Sequence, residues 1–310
     1  MTNRETASAP GKINIFFKVG ALKSDGYHEV LSVYQALDLR ETVSVTSAES
    51  WRVSVSGNIS SEQISAVPTG EENLVVRAAK VIAELAGLER AHPINFEITK
   101  NVPVAGGMGG GSADAAAALL AVDELWCTGV DGEALMNSAA ELGADIPFAL
   151  LGGTAIGVGK GDKLEPIDDV KRLHWVLVPM DAGLSTPRVY AKLDEIRSAR
   201  GENPEQVETP SKPYELISAL QLGDAREVAK HLHNDLQEAA VALMPELSIT
   251  MHAGLAAGAL AAMVSGSGPT VAMLAESEAA AESIANHLSF EGYIAIPTFG
   301  PAKGTLMEHH

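Results

Sequence analysis

Residues 103–113 read PVAGGMGGGSA, and DAAAALLAVDELW follows at 114–126. Five of the six residues at 106–111 are glycine (Gly106, Gly107, Gly109, Gly110 and Gly111), with Met108 between them. Pro103, Val104 and Ala105 lead in, and Ser112 and Ala113 open an alanine-rich segment with helical spacing. Ahead of the loop, Ile94, Phe96 and Ile98 alternate with Asn95, Glu97 and Thr99, the pattern of a half-buried strand. The order is strand, glycine-rich loop, helix. Glycines let a bulky anion approach main-chain N–H groups without a Cβ in the way. A helix N-terminus adds unpaired donors and partial positive charge, so this loop is expected to hold phosphate. The plainer alternative, a flexible turn before a core helix, seldom needs so much glycine.

Two familiar phosphate loops do not fit. A P-loop needs a Lys after its last glycine, and Ser112 stands there instead. The dinucleotide fingerprint belongs near the first strand of a βαβ unit with an acid about 20 residues on. Here the loop comes after about a hundred residues and no suitably placed acid follows.

The 310 residues suit two cores better than one, and 46% hydrophobic with 20% charged residues is the balance of an ordinary globular protein. A net charge of -18 argues against nucleic acid or an anionic membrane as partner, and an anionic ligand would need a local cluster of positive charge. The single cysteine, Cys127, excludes an internal disulfide and reads as a packing residue behind Trp126. MTNRETASAP at 1–10 lacks the apolar core of a signal peptide, and 254–264 is too short and glycine-rich to span a bilayer. The cytoplasm is the expected location. The closing MEHH reads as an appended tag, so His309 and His310 receive no ligand role.

After Pro10-Gly11, Ile13, Ile15, Phe17 and Val19 alternate with Lys12, Asn14, Phe16 and Lys18. That is a strand over 12–20 with one apolar face and with Lys12 and Asn14 together on the other. In 24–28, SDGYH, an Asp-Gly turn presents Tyr27 beside His28, and a surface pair and a binding pair both stay open. Val43 and Val45, then Trp51, Val53 and Val55, mark two more strands. Helices are expected over 74–85 and 131–142. Asp145 is enclosed by Gly, Ala, Ile, Pro and Phe in GADIPF. A partly buried carboxylate is costly unless paired, and such groups gather at working sites. The alternative role is a cap on the short helix that follows.

From about 173 the pattern restarts, with a strand over 174–180, a turn at 183–187 and a helix over 188–200. Residues 201–213, polar with three prolines, read as a mobile loop. Helices over 214–222, 224–241 and 245–257 follow. Strands over 259–264 and 270–275 flank SGSGP, and a helix over 277–288 and a strand over 293–297 close the chain. Strands with helices grouped between them are an α+β arrangement. His231 and His233 fall two apart on an expected helix, hence on different faces, which argues against a metal pair.

Three stretches together resemble the GHMP kinase superfamily: PGKIN at 10–14, PVAGGMGGGSA at 103–113 and SGSGPTV at 265–271. Within it PGKINIFFKV, DGYHEV, GGGS, GADIPF and STPRVY are similar, in the same order, to the 4-diphosphocytidyl-2-C-methyl-D-erythritol kinases of the non-mevalonate isoprenoid pathway. The resemblance covers 9–299. It implies an α+β, two-domain GHMP kinase fold, 1–168 binding ATP and 169–310 binding substrate, with the active site in the interdomain cleft.

The resemblance also implies ATP and Mg²⁺ as cofactors and a small-molecule substrate, cytidyl-diphospho-methylerythritol. No nucleic acid or membrane partner is implied, and the chain is expected as a monomer or weak homodimer. Residues 103–113 would hold the ATP phosphates, and Asn73 and Lys100 would line the adenine pocket. Asp145 matches the base that takes the proton of the 2-hydroxyl, and Lys12 the lysine that stabilises the developing alkoxide. Tyr27 and His28 match the cytosine site, and Tyr190 falls where the family often has a Phe on the opposite face of the base. Asn14 and Thr186 match positions near the cytidine diphosphate. Ser112 is the expected Mg²⁺ ligand, with no carboxylate partner named. Two rivals stay open here: a GHMP kinase for another alcohol (mevalonate, homoserine or a sugar), and a non-catalytic nucleotide sensor of the same fold.

Overall fold

The computed structural model describes residues 3–24, 26–104, 106–180 and 182–308; Ala105, within the glycine loop, and Asp25, His309 and His310 lie outside them. Two long strands, β1 (Arg4–Leu22) and β2 (His28–Ser47), pair antiparallel and organise the first half of the chain. β1 begins well before the stretch its apolar alternation marks. Thr6, Ala7, Ser8 and Ala9 are buried but small, so they leave no hydrophobic signal. The register shifts between Pro10 and Lys12 and again between Asn14 and Phe16. Bulges of this kind re-aim side chains, and here they bracket Lys12 and Asn14.

The first half continues with β3 (Arg52–Gly57), α1 (Ser61–Ser65), α2 (Leu74–Leu85), β4 (Ile94–Lys100), α3 (Gly110–Trp126), α4 (Gly132–Leu142), α5 (Ile146–Leu151), β5 (Thr154–Gly159) and β6 (Lys163–Pro166). The second half holds β7 (Leu173–Val178), α6 (Thr186–Ala199), α7 (Tyr214–Leu222), α8 (Ala225–His231), β8 (His233–Asn234), α9 (Gln237–Leu243) and α10 (Glu246–Ala256). β9 (Ala261–Val264), β10 (Val271–Ala275), α11 (Glu278–Phe290), β11 (Ile296–Gly300) and β12 (Leu306–Met307) complete it. One eight-stranded sheet runs β12-β1-β2-β4-β3, with β5 on β2, β6 on β5 and β8 on β1; a four-stranded sheet runs β11-β7-β10-β9. No single helix among the described residues is long and apolar enough to cross a membrane.

The expected division after 168 falls between β6 and β7, yet β8 and β12 cross back to pair with β1. Met307, expected as part of a tag, thus sits in the sheet opposite Ala7. The helix expected over 224–241 is broken. Asn234 takes the Leu236 N–H on its side-chain oxygen and donates to the Val264 and Gly266 carbonyls. Such side chain–backbone bonds compete with helix. His231 therefore ends α8 while His233 lies in β8, so the two never share a helix. Cys127 is not packed but exposed, capping α3 with φ 52°. Residues 201–213 include a short 3-10 turn at Pro204–Gln206, and Pro210 lies against Gly20 of β1.

Three cores result. One packs the large sheet on α2 and α3; a second lies between the small sheet and α6, α9 and α11. The third joins the halves, setting Ile13, Ile15, Val33 and Leu37 against Trp175, Leu177 and Leu216. Inside this third core the fully buried Trp175 donates its indole N–H to Gln35 Oε1 at 2.8 Å. Gln35→Leu strands that donor, and loss of roughly 1–3 kcal/mol of unfolding free energy is expected by urea titration. In a cycle with Trp175→Phe, the loss in the double variant should be smaller than the sum of the two single losses.

Candidate active site

Lys12 begins at the first bulge of β1 and is 8% exposed. Its Nζ donates to Gly107 O at 2.7 Å and to Asn14 Oδ1 at 2.8 Å, and stands 3.9 Å from Asp145 Oδ2. Asn14, opposite Tyr34 across the strand pair, donates through Nδ2 to Ser32 Oγ at 2.7 Å. Asp145 precedes α5 but makes no side-chain cap bond, so the capping role is not the one it plays. Its carboxylate is one-third exposed, open to a ligand and facing Lys12. Burial first, then the Asp145 charge, push the phenols of both Tyr34 and Tyr190 well up, so both remain neutral hydrogen-bond donors beside the carboxylate.

The glycine loop lies between this cluster and SGSGP. Gly107 has φ 71°, and a Cβ there would stand 2.8 Å from Gly268 O. Only a bare backbone with left-handed φ lets the two loops touch. Gly109, the N-cap of α3, has no side chain with which to cap it, so the first-turn amides meet no capping oxygen. A cavity of about 330 Å³ opens there, lined by Val67, Leu74, Pro103, Gly110 and Ser112 among others. A backbone cradle, uncapped helix amides and a cavity beside them fit a nucleotide phosphate chain. A larger cavity of about 540 Å³, between α6, β8 and β9, contains none of these residues.

Behind the loop Lys100 Nζ pairs with Glu41, and with Asp114 Oδ2 at 2.8 Å. All three are buried, and a Cβ on Gly110 would stand 3.0 Å from Glu41 Oε1. Lys100 lines the cavity, but its charge is taken up by the two carboxylates. Asn73 caps α2 through Oδ1 and donates Nδ2 to Pro68 O, so both its polar atoms are engaged by the chain.

The base-site residues gather at the start of β2 and on α6. His28 Nε2 lies 3.0 Å from Asp194 Oδ1, and its ring stacks on Tyr190 with centroids 5.2 Å apart. Tyr27 is 58% exposed with Lys160 Nζ 3.7 Å above its ring, beside a cavity of about 430 Å³ that Lys23, His28 and Lys163 also line. Glu29, paired with Lys23 at 3.1 Å, and Asp162 line it as well, so the three lysines leave only a small excess of positive charge there. Thr186 Oγ1 lies 2.9 Å from Ser267 Oγ, joining α6 to SGSGP. Sequence reasoning missed Tyr34, Asp194 and the pairing of Lys100 with Glu41 and Asp114. Asp194 had a signal, standing one helical turn beyond Tyr190.

Family models for the GHMP kinases N terminal domain and the GHMP kinases C terminal match residues 73–153 and 216–294. The 4-diphosphocytidyl-2-C-methyl-D-erythritol kinase of Pseudarthrobacter chlorophenolicus is 49% identical over 96% of this chain and 92% of its own. That of Paenarthrobacter aurescens is 47% identical over 96% and 93%. The chain belongs to the 4-diphosphocytidyl-2-C-methyl-D-erythritol kinase family. A crystal structure of a 4-(cytidine 5'-diphospho)-2C-methyl-D-erythritol kinase superposes with TM-score 0.76 at 30% identity, covering 96% of this chain and 100% of that one. The two-domain GHMP kinase fold is thus established, and with it a kinase that uses ATP.

The buried triad of Glu41, Lys100 and Asp114 should make the stability of the fold depend on pH. Burial first, then the Asp114 charge, push the Glu41 carboxyl up from 4.5 to about 7. Between those values the folded state holds a proton that the unfolded chain has lost, so stability falls as pH rises through the window. Glu41→Gln should flatten that fall, seen as a smaller difference between urea midpoints at about pH 5 and about pH 7. Lys100→Met, which leaves two carboxylates without a cation, should cost about 3–5 kcal/mol in the same titration.

Proposed function

We propose that this protein transfers the γ-phosphoryl group of ATP to the 2-hydroxyl of 4-diphosphocytidyl-2-C-methyl-D-erythritol, in the cytoplasm, as a step of isoprenoid synthesis. The observation that carries the reading is the Lys12–Asp145 pair beside the glycine loop, in a chain 49% identical to a kinase of that name.

Phosphoryl transfer depends mostly on positioning and charge neutralisation, so one base, one cation and a cradle suffice. Asp145 Oδ2 takes the proton of the attacking hydroxyl. Lys12, 3.9 Å from that oxygen and anchored on Gly107 O and Asn14, holds positive charge where the alkoxide develops. Amides at the start of α3 face the phosphates, while Pro103, Val104 and Met108 form the loop that carries them. Tyr27 offers a ring face and His28 an imidazole edge to the cytosine, while Tyr190, expected on the opposite face of the base, is stacked on His28 instead. Asn14 and Thr186 flank the path of the diphosphate.

Mg²⁺ binds through few protein oxygens, keeping waters and taking phosphates as ligands. The Ser112 hydroxyl, in the first turn of α3 and on the cavity beside the loop, suits that habit. Ser112 would hold the ion, with Asp145 the carboxylate nearest the loop that is not already paired in the buried triad. An ion held there would supply positive charge against the phosphate chain.

An assay of ADP release with Mg-ATP should show turnover with the cytidyl substrate and none with mevalonate, homoserine or galactose. Turnover with one of those alcohols instead would discard the base site. Asp145→Asn should lower kcat at least about a hundredfold with ATP affinity kept. Tyr27→Ala should weaken the cytidyl substrate by about 1–3 kcal/mol, read as KM.

A further inference from the structure

His28 is held on two sides by one helix. Its side chain is 5% exposed, Tyr190 of α6 covers a ring face, and Asp194 of α6 occupies the Nε2 edge at 3.0 Å. A carboxylate accepts hydrogen bonds and donates none, so Nε2 carries the hydrogen. In the neutral ring Nδ1 is then an acceptor with a lone pair. No hydrogen bond to Nδ1 is present among the described residues, and His28 borders the cavity that Tyr27 also lines. Because β2 and α6 belong to different halves of the molecule, the ring's proton is placed by the opposite domain from the one that carries the ring.

We infer that Asp194 is a positioning residue that selects the base: by fixing the His28 tautomer it presents an acceptor, which suits the exocyclic amine of cytosine and opposes the carbonyl of uracil. The inference rests on the reading of Tyr27 and His28 as the base site. An amine meets the Nδ1 lone pair with N–H. A uracil carbonyl at the same place sets lone pair against lone pair, with a buried polar edge left unpaired. Sites built to bond a particular donor reject analogues that lack it more strongly than apolar pockets reject a size change. The substrate's two diphosphate charges and its alcohol are the same in both nucleotides, so discrimination has to come from the base edge.

The test compares kcat/KM for the cytidyl-diphospho-methylerythritol substrate and its uridine counterpart, in the wild type and in Asp194→Asn. The wild type should favour cytidine at least about tenfold. Asn can donate to Nε2 as well as accept from it, so in Asp194→Asn the preference should fall to within about threefold. The Michaelis constant for ATP serves as internal control. Nitrogen-15 NMR of the histidines in the wild type, at a pH where the ring is neutral, should show His28 protonated on Nε2. It needs no variant and is unaffected by any loss of folding in Asp194→Asn. His28 protonated on Nδ1, or a cytidine preference unchanged in Asp194→Asn, would overturn the role of Asp194 while leaving the kinase reading in place. A wild type indifferent to the base would overturn both the role and the base site itself.

Discussion

An ammonium group buried as deeply as that of Lys12 is costly unless oxygen atoms replace the water it has lost. Here they come from separate parts of the chain: Asn14 on the same strand, the Gly107 carbonyl in the glycine loop, and Asp145 before α5. One nitrogen therefore fixes the strand, the glycine loop and the carboxylate relative to one another. The geometry proposed for phosphoryl transfer is also the geometry that satisfies this buried charge. Moving the loop away would leave the lysine short of an acceptor, and the penalty keeps the loop in register with the strand.

That nitrogen is steady because β1 has a core on both faces. Ala7 and Ala9 pack toward α3, and Ile13 and Ile15 toward Trp175 and Leu177 of the small sheet. A strand with solvent on one side can slide or fray; this one is bounded by hydrophobic packing along most of its length. β8 and β12 return from the second half to cover its free edge. The two halves are thus less independent than a division after 168 implies. SGSGP belongs to the second half yet reaches the site, with Ser265 Oγ accepting from the Asn14 amide at 3.1 Å.

Much of this was legible in the sequence. The strand–loop–helix order around 103–113, the pairing of Lys12 with Asn14 and the restart near 173 follow from period, glycine and apolar spacing, which are local properties. What was not legible depends on non-local contacts. The buried small residues Thr6 to Ala9 have no apolar alternation, and β8 is two residues long, set by Asn234 bonds to carbonyls 30 and 32 residues away. Cys127 beside Trp126 looks like core, but the turn that ends α3 points it outward. The triad joins Glu41 and Asp114, which carry no signal in their own stretches, to Lys100, expected at the adenine pocket.

Three carboxylates lie near the loop, and their surroundings divide them by task. Glu41 and Asp114 are buried against Lys100 and raised by burial. They brace Lys100 beneath the first turn of α3. Asp145 is one-third exposed, faces Lys12 and spends no oxygen on capping α5. Helices that begin with an acid normally use it as a cap, and leaving that bond unmade is unfavourable by about 0.5–2 kcal/mol. Pro147 lowers the loss, because proline in the first turn removes one of the amides a cap would serve. The sequence DIP therefore starts a helix without consuming its carboxylate, which leaves Asp145 free for the role of base proposed above.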